Sequence, residues 1–489
     1  MPQQEHRKGG NYLVPALSIS AAALLLLPVF ALDRWFRSDD YLLLFHQGGI
    51  APWRLWEFFG AEQVFFWRPL QAWAVSLLWH LAGWNPVPYN AVLMAAYSAG
   101  AATGARLLRR LLGEEPAAKP AAAVALFVFA LFGVNLAMPV VWVSLLGQNL
   151  GLALALWALG DWALAAGEEQ RRGPWRALLP ALLMTAAILC KESVAALLPL
   201  FPIASWARRR PWAAHTPAER WSAAIPAAAA LAALALSSLA KSAGVDVERA
   251  YALAAPTDVP LNALRMVNVL CHPFAGLAAA WPSQFSEWQL RSATTGVPFA
   301  ALAVLGAGAW IARRDRAAAF ALAWTVLGCF PAALYESHLN SRYLHAPAFG
   351  LAALAALIVV RGGARIRDRA PALAAAAFLA ALAFLAVGAA QLRVLAWQHA
   401  RIGFGRELID YARAEPPGPG SPELWVLEGV GAAESNGGLG LSEAVRLATG
   451  ADRVQVELAE FVDPATVARF EAAGWRVRVV PLGRTAGER

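Results

Sequence analysis

Charge is scarce in this chain of 489 residues: Asp, Glu, Lys and Arg together make up 15% of it, against about 25% in soluble globular domains. With 59% hydrophobic residues and a mean hydropathy of +0.47, that deficit excludes an ordinary cytosolic enzyme and a disordered chain. Cysteine is nearly missing too. The three present, Cys190, Cys271 and Cys329, form neither an even framework nor a metal-ligand spacing, which speaks against a disulfide scaffold and a structural zinc site. A cleavable leader is also absent from the pattern, because the first apolar run (Tyr12 to Leu32) is too long and no A-x-A site follows it.

What the chain has is long uncharged stretches, and a spanning helix needs about 20 apolar residues. Arg68 to Arg106 encloses 37 uncharged residues, interrupted by Pro86 and Pro88. Lys119 to Asp161 encloses 41, enough for two helices with a break around Pro139 and Gln148-Asn149. Between Arg176 and Arg208 the only charges are Lys191 and Glu192, and this segment reads as a short helical hairpin with Lys-Glu at its outer turn. With the first run and the single-helix stretches 220–241, 291–313, 316–336, 342–361 and 369–393, the expectation is an α-helical polytopic membrane protein of about eleven spans.

Lys and Arg accumulate in short cytoplasmic loops. With the N-terminus inside, twenty of the 41 basic residues fall in short inner segments, among them Arg106, Arg109 and Arg110, Arg208 to Arg210, Arg313 and Arg314, and Arg361. The net charge of +8 and pI near 9.7 are therefore a topology signal, not a nucleic-acid surface. High Ala and Arg usage suggests a high-GC bacterium, so the expected location is the inner membrane with a periplasmic outer face. Two outer loops are long, 33–88 and 241–291. The first holds seven of the 21 tryptophans, so Ala51–Phe59 and Pro69–Ala82 read as helices lying on the outer leaflet. After a helical domain of residues 1–390, residues 391–489 read as a small periplasmic α/β domain. In it Leu424–Leu427, Val454–Leu458 and Val477–Val480 are strand-like, and Asp463-Pro464 opens a helix. This domain has no nucleotide loop, triad or metal spacing and reads as an accessory or docking part.

Ionisable residues that the membrane does not favour are where function is sought. Ser38-Asp39-Asp40-Tyr41, just after the first span, offers a carboxylate as general base and a neighbour to orient it. The competing reading is a helix N-cap with acids in the first turn. Lys191-Glu192 suits a phosphate, with Glu orienting Lys, or is a self-paired interfacial turn. In the Tyr335–Pro347 segment, Arg342 and Tyr343 can clamp a phosphate or anchor a span at the interface. Glu336, His338 and His345 could together ligate a divalent metal or meet an acceptor, although no spacing compels it. His272 and His80 read as loop and packing histidines.

The order of these motifs resembles a known family. Asp39-Asp40 is followed by Phe66-Trp67-Arg68-Pro69-Leu70, Gly83-Trp84-Asn85-Pro86 and Tyr89-Asn90. Pro139-Val140-Val141-Trp142, Lys191-Glu192 and Ser341-Arg342-Tyr343-Leu344 come next. Over about residues 10–390 this is similar to the GT-C glycosyltransferases of the protein O-mannosyltransferase superfamily, in particular the transmembrane O-mannosyltransferases that carry TPR repeats and their bacterial relatives. The resemblance implies a polyprenyl-phosphate-linked sugar as donor, transfer to a protein, glycan or lipid acceptor on the outer face, and Asp39 as catalytic carboxylate beside Asp40. It further implies a donor-phosphate site of Lys191, Glu192, Arg342, Tyr343 and Arg68. The TPR array is replaced by the α/β domain, so the relatives' acceptor does not carry over. A transporter or flippase of lipid-linked sugars is the alternative, although no repeat relates the two halves. A non-catalytic scaffold would leave Asp39-Asp40 and Lys191-Glu192 unexplained.

Overall fold

The structure is a computed structural model that describes residues 13–27, 29, 32, 35–36, 39–59, 67–132, 143–167, 175–209, 216–241, 253–271, 299–335, 344–363, 403–418, 420–430 and 441–482. Its first helices are α1 (Leu13–Leu26), α2 (Asp39–Gly48), α3 (Pro69–Ala82), α4 (Pro86–Leu112), α5 (Ala118–Leu131) and α6 (Leu146–Gly167). After these come α7 (Trp175–Cys190), α8 (Leu200–Ala207), α9 (Pro217–Lys241), α10 (Val259–Cys271), α11 (Phe299–Ala312), α12 (Arg316–Ala333) and α13 (His345–Gly363). The C-terminal part is α14 (Gly403–Ala414), β1 (Glu423–Glu428), α15 (Leu441–Thr449), β2 (Val454–Leu458), α16 (Pro464–Ala472) and β3 (Arg476–Pro481).

Ten apolar helices coincide with ten of the expected spans, and the eleventh, 369–393, lies outside the described residues. Three of the ten are long and apolar enough to cross a membrane: Pro86–Leu112, Val143–Ala165 and Arg316–Ala333. Helix α4 starts where the prolines predict, with Pro86 in its first turn and Asn85 capping it by accepting a hydrogen bond from the Val87 amide at 3.1 Å. The break expected at Gln148-Asn149 is not there. A 3-10 turn at Val143–Leu145 leads directly into α6, whose first turn contains both amides. Pro139 to Trp142 lie outside the described residues.

Lys191 does interrupt the helix. Cys190 ends α7, Lys191 is extended (φ −156°, ψ 110°), and a 3-10 turn at Glu192–Leu197 precedes α8. The chain also turns back. A Cβ on Gly147 or Gly151, near the start of α6, would meet the carbonyls of Cys190 and Ala187. Trp162, near the end of α6, donates to the Phe201 carbonyl and Ser205 hydroxyl of α8, at 3.1 and 2.9 Å. The hairpin expected from the flanking arginines is thus the geometry found.

Arginines expected on the inner side share one end of the bundle. Arg106 and Arg110 of α4 both reach Asp161 of α6. Arg208 donates to the Leu111 carbonyl at 3.4 Å, and Arg361 reaches Glu115 at 3.1 Å and Asp315 at 2.5 Å. Asp161 and Arg110 are largely buried, so truncation leaves the arginine without its counter-charge. Asp161→Ala is expected to lower stability by about 2 kcal/mol, between the values for exposed and buried pairs. Thermal unfolding in detergent measures it, and an unchanged midpoint would remove this pair from the account of the fold.

The Ala51–Phe59 helix is only a five-residue 3-10 turn, Leu55–Phe59. Trp53 and Trp56 are each 72% exposed, as an interfacial site requires. Helix α3 is less superficial than expected: Pro69, Gln71, Ala72, Val75, Ser76 and Leu78 are buried where it packs on α2 and α7. The preceding loop is tied to it by Ser76 Oγ donating to the Ile50 carbonyl (2.5 Å) and Trp73 Nε1 to the Pro52 carbonyl (3.0 Å).

The C-terminal strands form a three-stranded parallel sheet in the order β2-β1-β3. The strands sit where their β-branched runs predict, and Asp463 caps α16 by accepting from the Thr466 amide at 2.6 Å. Helix α14 was not expected. With α15 it presses this unit onto the helical part, because Leu408, Ile409, Trp425 and Leu441 share one apolar core with Phe36, Tyr41 and Leu44.

Candidate functional site

Three chain segments meet at the end of the bundle opposite the arginine ties: the start of α2, the residues leading into α3, and the break at Lys191. Helix α2 opens on Asp39, whose side chain lies outside the described part of the structure. Asp40 is 2% exposed, and its Oδ1 accepts a hydrogen bond from the Ser144 backbone amide at 2.8 Å. That bond reaches across 104 residues to the turn before α6, so Asp40 is more than a cap for its own helix. On the other side of the same turn, Gln71 Nε2 donates to the Ser144 carbonyl at 2.8 Å. Ser144 therefore couples α2 to α3.

Gln71 is one turn into α3 from Arg68, and Arg68 faces the helix break. Its Nε and Nη2 donate to Glu192 Oε2 and Oε1 at 2.6 and 2.8 Å, a bidentate fork with both side chains about 15% exposed. A planar guanidinium makes this geometry where an ammonium cannot. Both oxygens of the Glu192 carboxylate are thus engaged by Arg68. Lys191 is 7% exposed beside it. Arg68, Lys191 and Glu192 carry a net charge of +1 among them, next to a turn that holds a buried acid. Close approach makes the junction possible. A Cβ on Gly147 would strike Gln71 Oε1 and the Cys190 carbonyl, so glycine there lets α3, α6 and α7 converge.

The tyrosine after the acidic pair is fixed as a donor. Tyr41 is 1% exposed and its hydroxyl donates to the Phe36 carbonyl at 3.0 Å. Burial first, and the neighbouring Asp40 charge second, push this hydroxyl well above the usual tyrosine range. At the far end of α2, burial lowers the His46 pKa, with Glu443 of α15 opposing the shift and Arg446 adding to it.

Next along the chain from Glu192, a cavity of about 40 Å³ is lined by Gln148, Ser193, Val194, Pro331 and His345. It has room for water. His345 is 2% exposed, its ring lies 5.1 Å from that of Tyr97, and its Nε2 has no hydrogen-bond partner among the described residues. Among the described residues no three His, Cys, Asp or Glu side chains converge on a metal position. Glu336 and His338, the expected companions of His345, lie outside the described residues, as do Arg342 and Tyr343.

The structure therefore brings Asp40, Arg68, Lys191 and Glu192 into one connected junction. It adds Gln71, Ser144 and Gly147, which the sequence reading did not single out. Gln71 carried a usable signal, a lone amide near the start of an apolar helix. Ser144 did not, because it acts through its backbone.

No family model matches the chain, and no curated protein matches it either. In structure it is similar to an oligosaccharyltransferase of the archaeon Archaeoglobus fulgidus solved with Zn and sulfate. The TM-score is 0.48 at 13% identity, covering 90% of this chain and 61% of that one. The same organism's oligosaccharyltransferase AglB, solved with an inhibitory peptide and a dolichol-phosphate, gives a TM-score of 0.48 at 12% identity, covering 91% and 64%. The apo form gives 0.47 at 13%, covering 92% and 65%. The chain spans less than two thirds of the length of each.

Proposed function

We propose that the protein is a membrane glycosyltransferase of GT-C type. It moves a sugar from a polyprenyl-phosphate donor to a protein, glycan or lipid acceptor on the outer, periplasmic face. The observation that carries this reading is the junction itself: the helix opening on Asp39-Asp40 is tied through Ser144 and Gln71 to the Arg68–Glu192–Lys191 cluster. A group transfer from a phosphate needs this pairing of opposite characters within one site. An acceptor hydroxyl oxygen attacks the anomeric carbon while the bond from that carbon to the phosphate oxygen breaks. The electron pair leaves with the phosphate, and Asp39 takes the acceptor proton. Lys191 and Arg68, joined by Arg342 and Tyr343, stabilise the phosphate as its charge grows, and Glu192 holds Arg68 in orientation. The buried Asp40 positions α2. A divalent metal at Glu336, His338 and His345 would add a further cation for the phosphate.

The test is incubation of the purified protein with labelled polyprenyl-phosphate sugars and a panel of peptide, glycan and lipid acceptors. Label is expected in an acceptor, with free polyprenyl phosphate released in equal amount. Movement of intact labelled donor across a proteoliposome membrane with no label in any acceptor would replace this reading with a transporter.

A further inference from the structure

The C-terminal unit touches the rest of the chain at a telling place. Helix α14 lays Leu408, Ile409 and Ala412, each fully buried, into the core that holds Phe36, Tyr41 and Leu44. These residues flank the acidic pair on both sides. Two arginines of α14 extend the grip: Arg406 lies 5.6 Å over the Trp35 ring, and Arg413 lies 5.6 Å over Trp84. The two indoles are stacked on each other at 6.1 Å with 7° between their planes. The tightest point is Gly405. A Cβ there would run into the Tyr41 hydroxyl oxygen, with the ring carbon Cζ at 3.2 Å and Trp35 Cδ1 at 3.5 Å.

We infer that the C-terminal α/β unit positions the helix bearing the acidic pair, and that Gly405 is a positioning residue that seats α14 against Tyr41. The inference rests on the reading that places the reacting carboxylate at the start of α2. Its structural half stands on contacts alone. An accessory domain that merely docked elsewhere would have no need of a glycine at this contact. Here a single methyl group must displace either α14 or Tyr41, and Tyr41 follows Asp40 directly. Tyr41 cannot swing aside without giving up its bond to the Phe36 carbonyl.

The size argument supplies its own control. Tyr41→Phe removes the one atom that the Gly405 methyl would strike and leaves Cζ at 3.2 Å, a contact that small shifts relieve. Full-length protein in nanodiscs is compared as wild type, Gly405→Ala, Tyr41→Phe and the double variant. Hydrogen exchange of the 39–48 peptide and the kcat and donor KM of transfer are measured for each. Gly405→Ala is expected to speed exchange of the protected α2 amides about tenfold. It should also lower kcat about tenfold at unchanged donor KM, because orientation and not donor binding is lost. The double variant is expected to return both quantities toward those of Tyr41→Phe. Wild-type exchange in Gly405→Ala, or a defect that Tyr41→Phe leaves in place, would overturn the inference. If the wild type transfers no sugar, the functional reading fails, while the exchange data still decide whether α14 seats α2.

Discussion

Asp39→Asn is expected to lower the rate of sugar transfer by about a thousandfold, within the range for loss of a general base, while expression and membrane insertion stay as in the wild type. Asp40 is buried and holds the Ser144 amide at 2.8 Å, so its carboxylate is occupied in joining α2 to the turn before α6. A base must meet its substrate, and an acid held in a structural tie is poorly placed for that. Asp40→Asn keeps an oxygen that can accept the Ser144 amide. It should therefore cost less activity than Asp39→Asn, whereas Asp40→Ala should reduce stability as well, by about 1.5–3 kcal/mol for loss of a hydrogen bond to a charged group. Steady-state transfer kinetics and thermal unfolding on the same preparations separate the two roles. Full turnover in Asp39→Asn would refute the base assignment. A larger activity loss in Asp40→Asn than in Asp39→Asn would exchange the two residues' parts.

The second large effect belongs to Arg68 and Glu192. Removing one member of this largely buried, bidentate pair leaves Glu192 with Lys191 beside it in place of the fork, which costs about 2 kcal/mol, between the values for exposed and buried pairs. Arg68→Ala is therefore expected to produce a marked drop in the unfolding midpoint. It should also weaken donor binding, since Glu192 would then confront the donor phosphate directly. Glu192→Gln should be milder for donor affinity, because it removes a negative charge from the phosphate's surroundings while loosening Arg68. Arg68→Leu combined with Glu192→Leu should recover much of the lost stability, as replacement of a buried pair by apolar groups commonly does, without recovering donor affinity. That split between stability and donor KM is diagnostic. Should the double variant bind donor as the wild type does, the pair would be a structural clasp with no part in phosphate recognition.

Much of the fold was legible because the bilayer imposes a coarse and local rule. An apolar run of helical length must become a helix, since backbone polar groups in lipid find partners only within it. Nine runs bounded by charges became ten apolar helices, the run between Lys119 and Asp161 supplying two, and Lys191 broke the run in which it lies. The arginine bias was legible for a related reason: like-sided loops collect at one end of a bundle, and Arg110, Arg208 and Arg361 do so. The C-terminal strands followed from short β-branched runs between turn residues, and α16 from its Asp463 cap. Besides the Ala51–Phe59 helix, which is only a 3-10 turn, two expectations failed where local pattern was the wrong guide. Gln148-Asn149 looked like a break, yet both amides are buried in the first turn of α6. Pro69–Ala82 looked superficial because it is rich in tryptophan, yet it packs on α2 and α7.

By itself the sequence determined the apolar helices and the three C-terminal strands, and which ionisable residues are out of place among apolar neighbours. These are consequences of composition within one or two turns. Only the tertiary structure decided that Arg68 grips Glu192 across 124 residues, that Ser144 joins Asp40 to Gln71, and that α14 closes on Tyr41. Contacts between distant elements depend on how helices cross and how closely glycines let them approach. No periodicity along the chain encodes that arrangement.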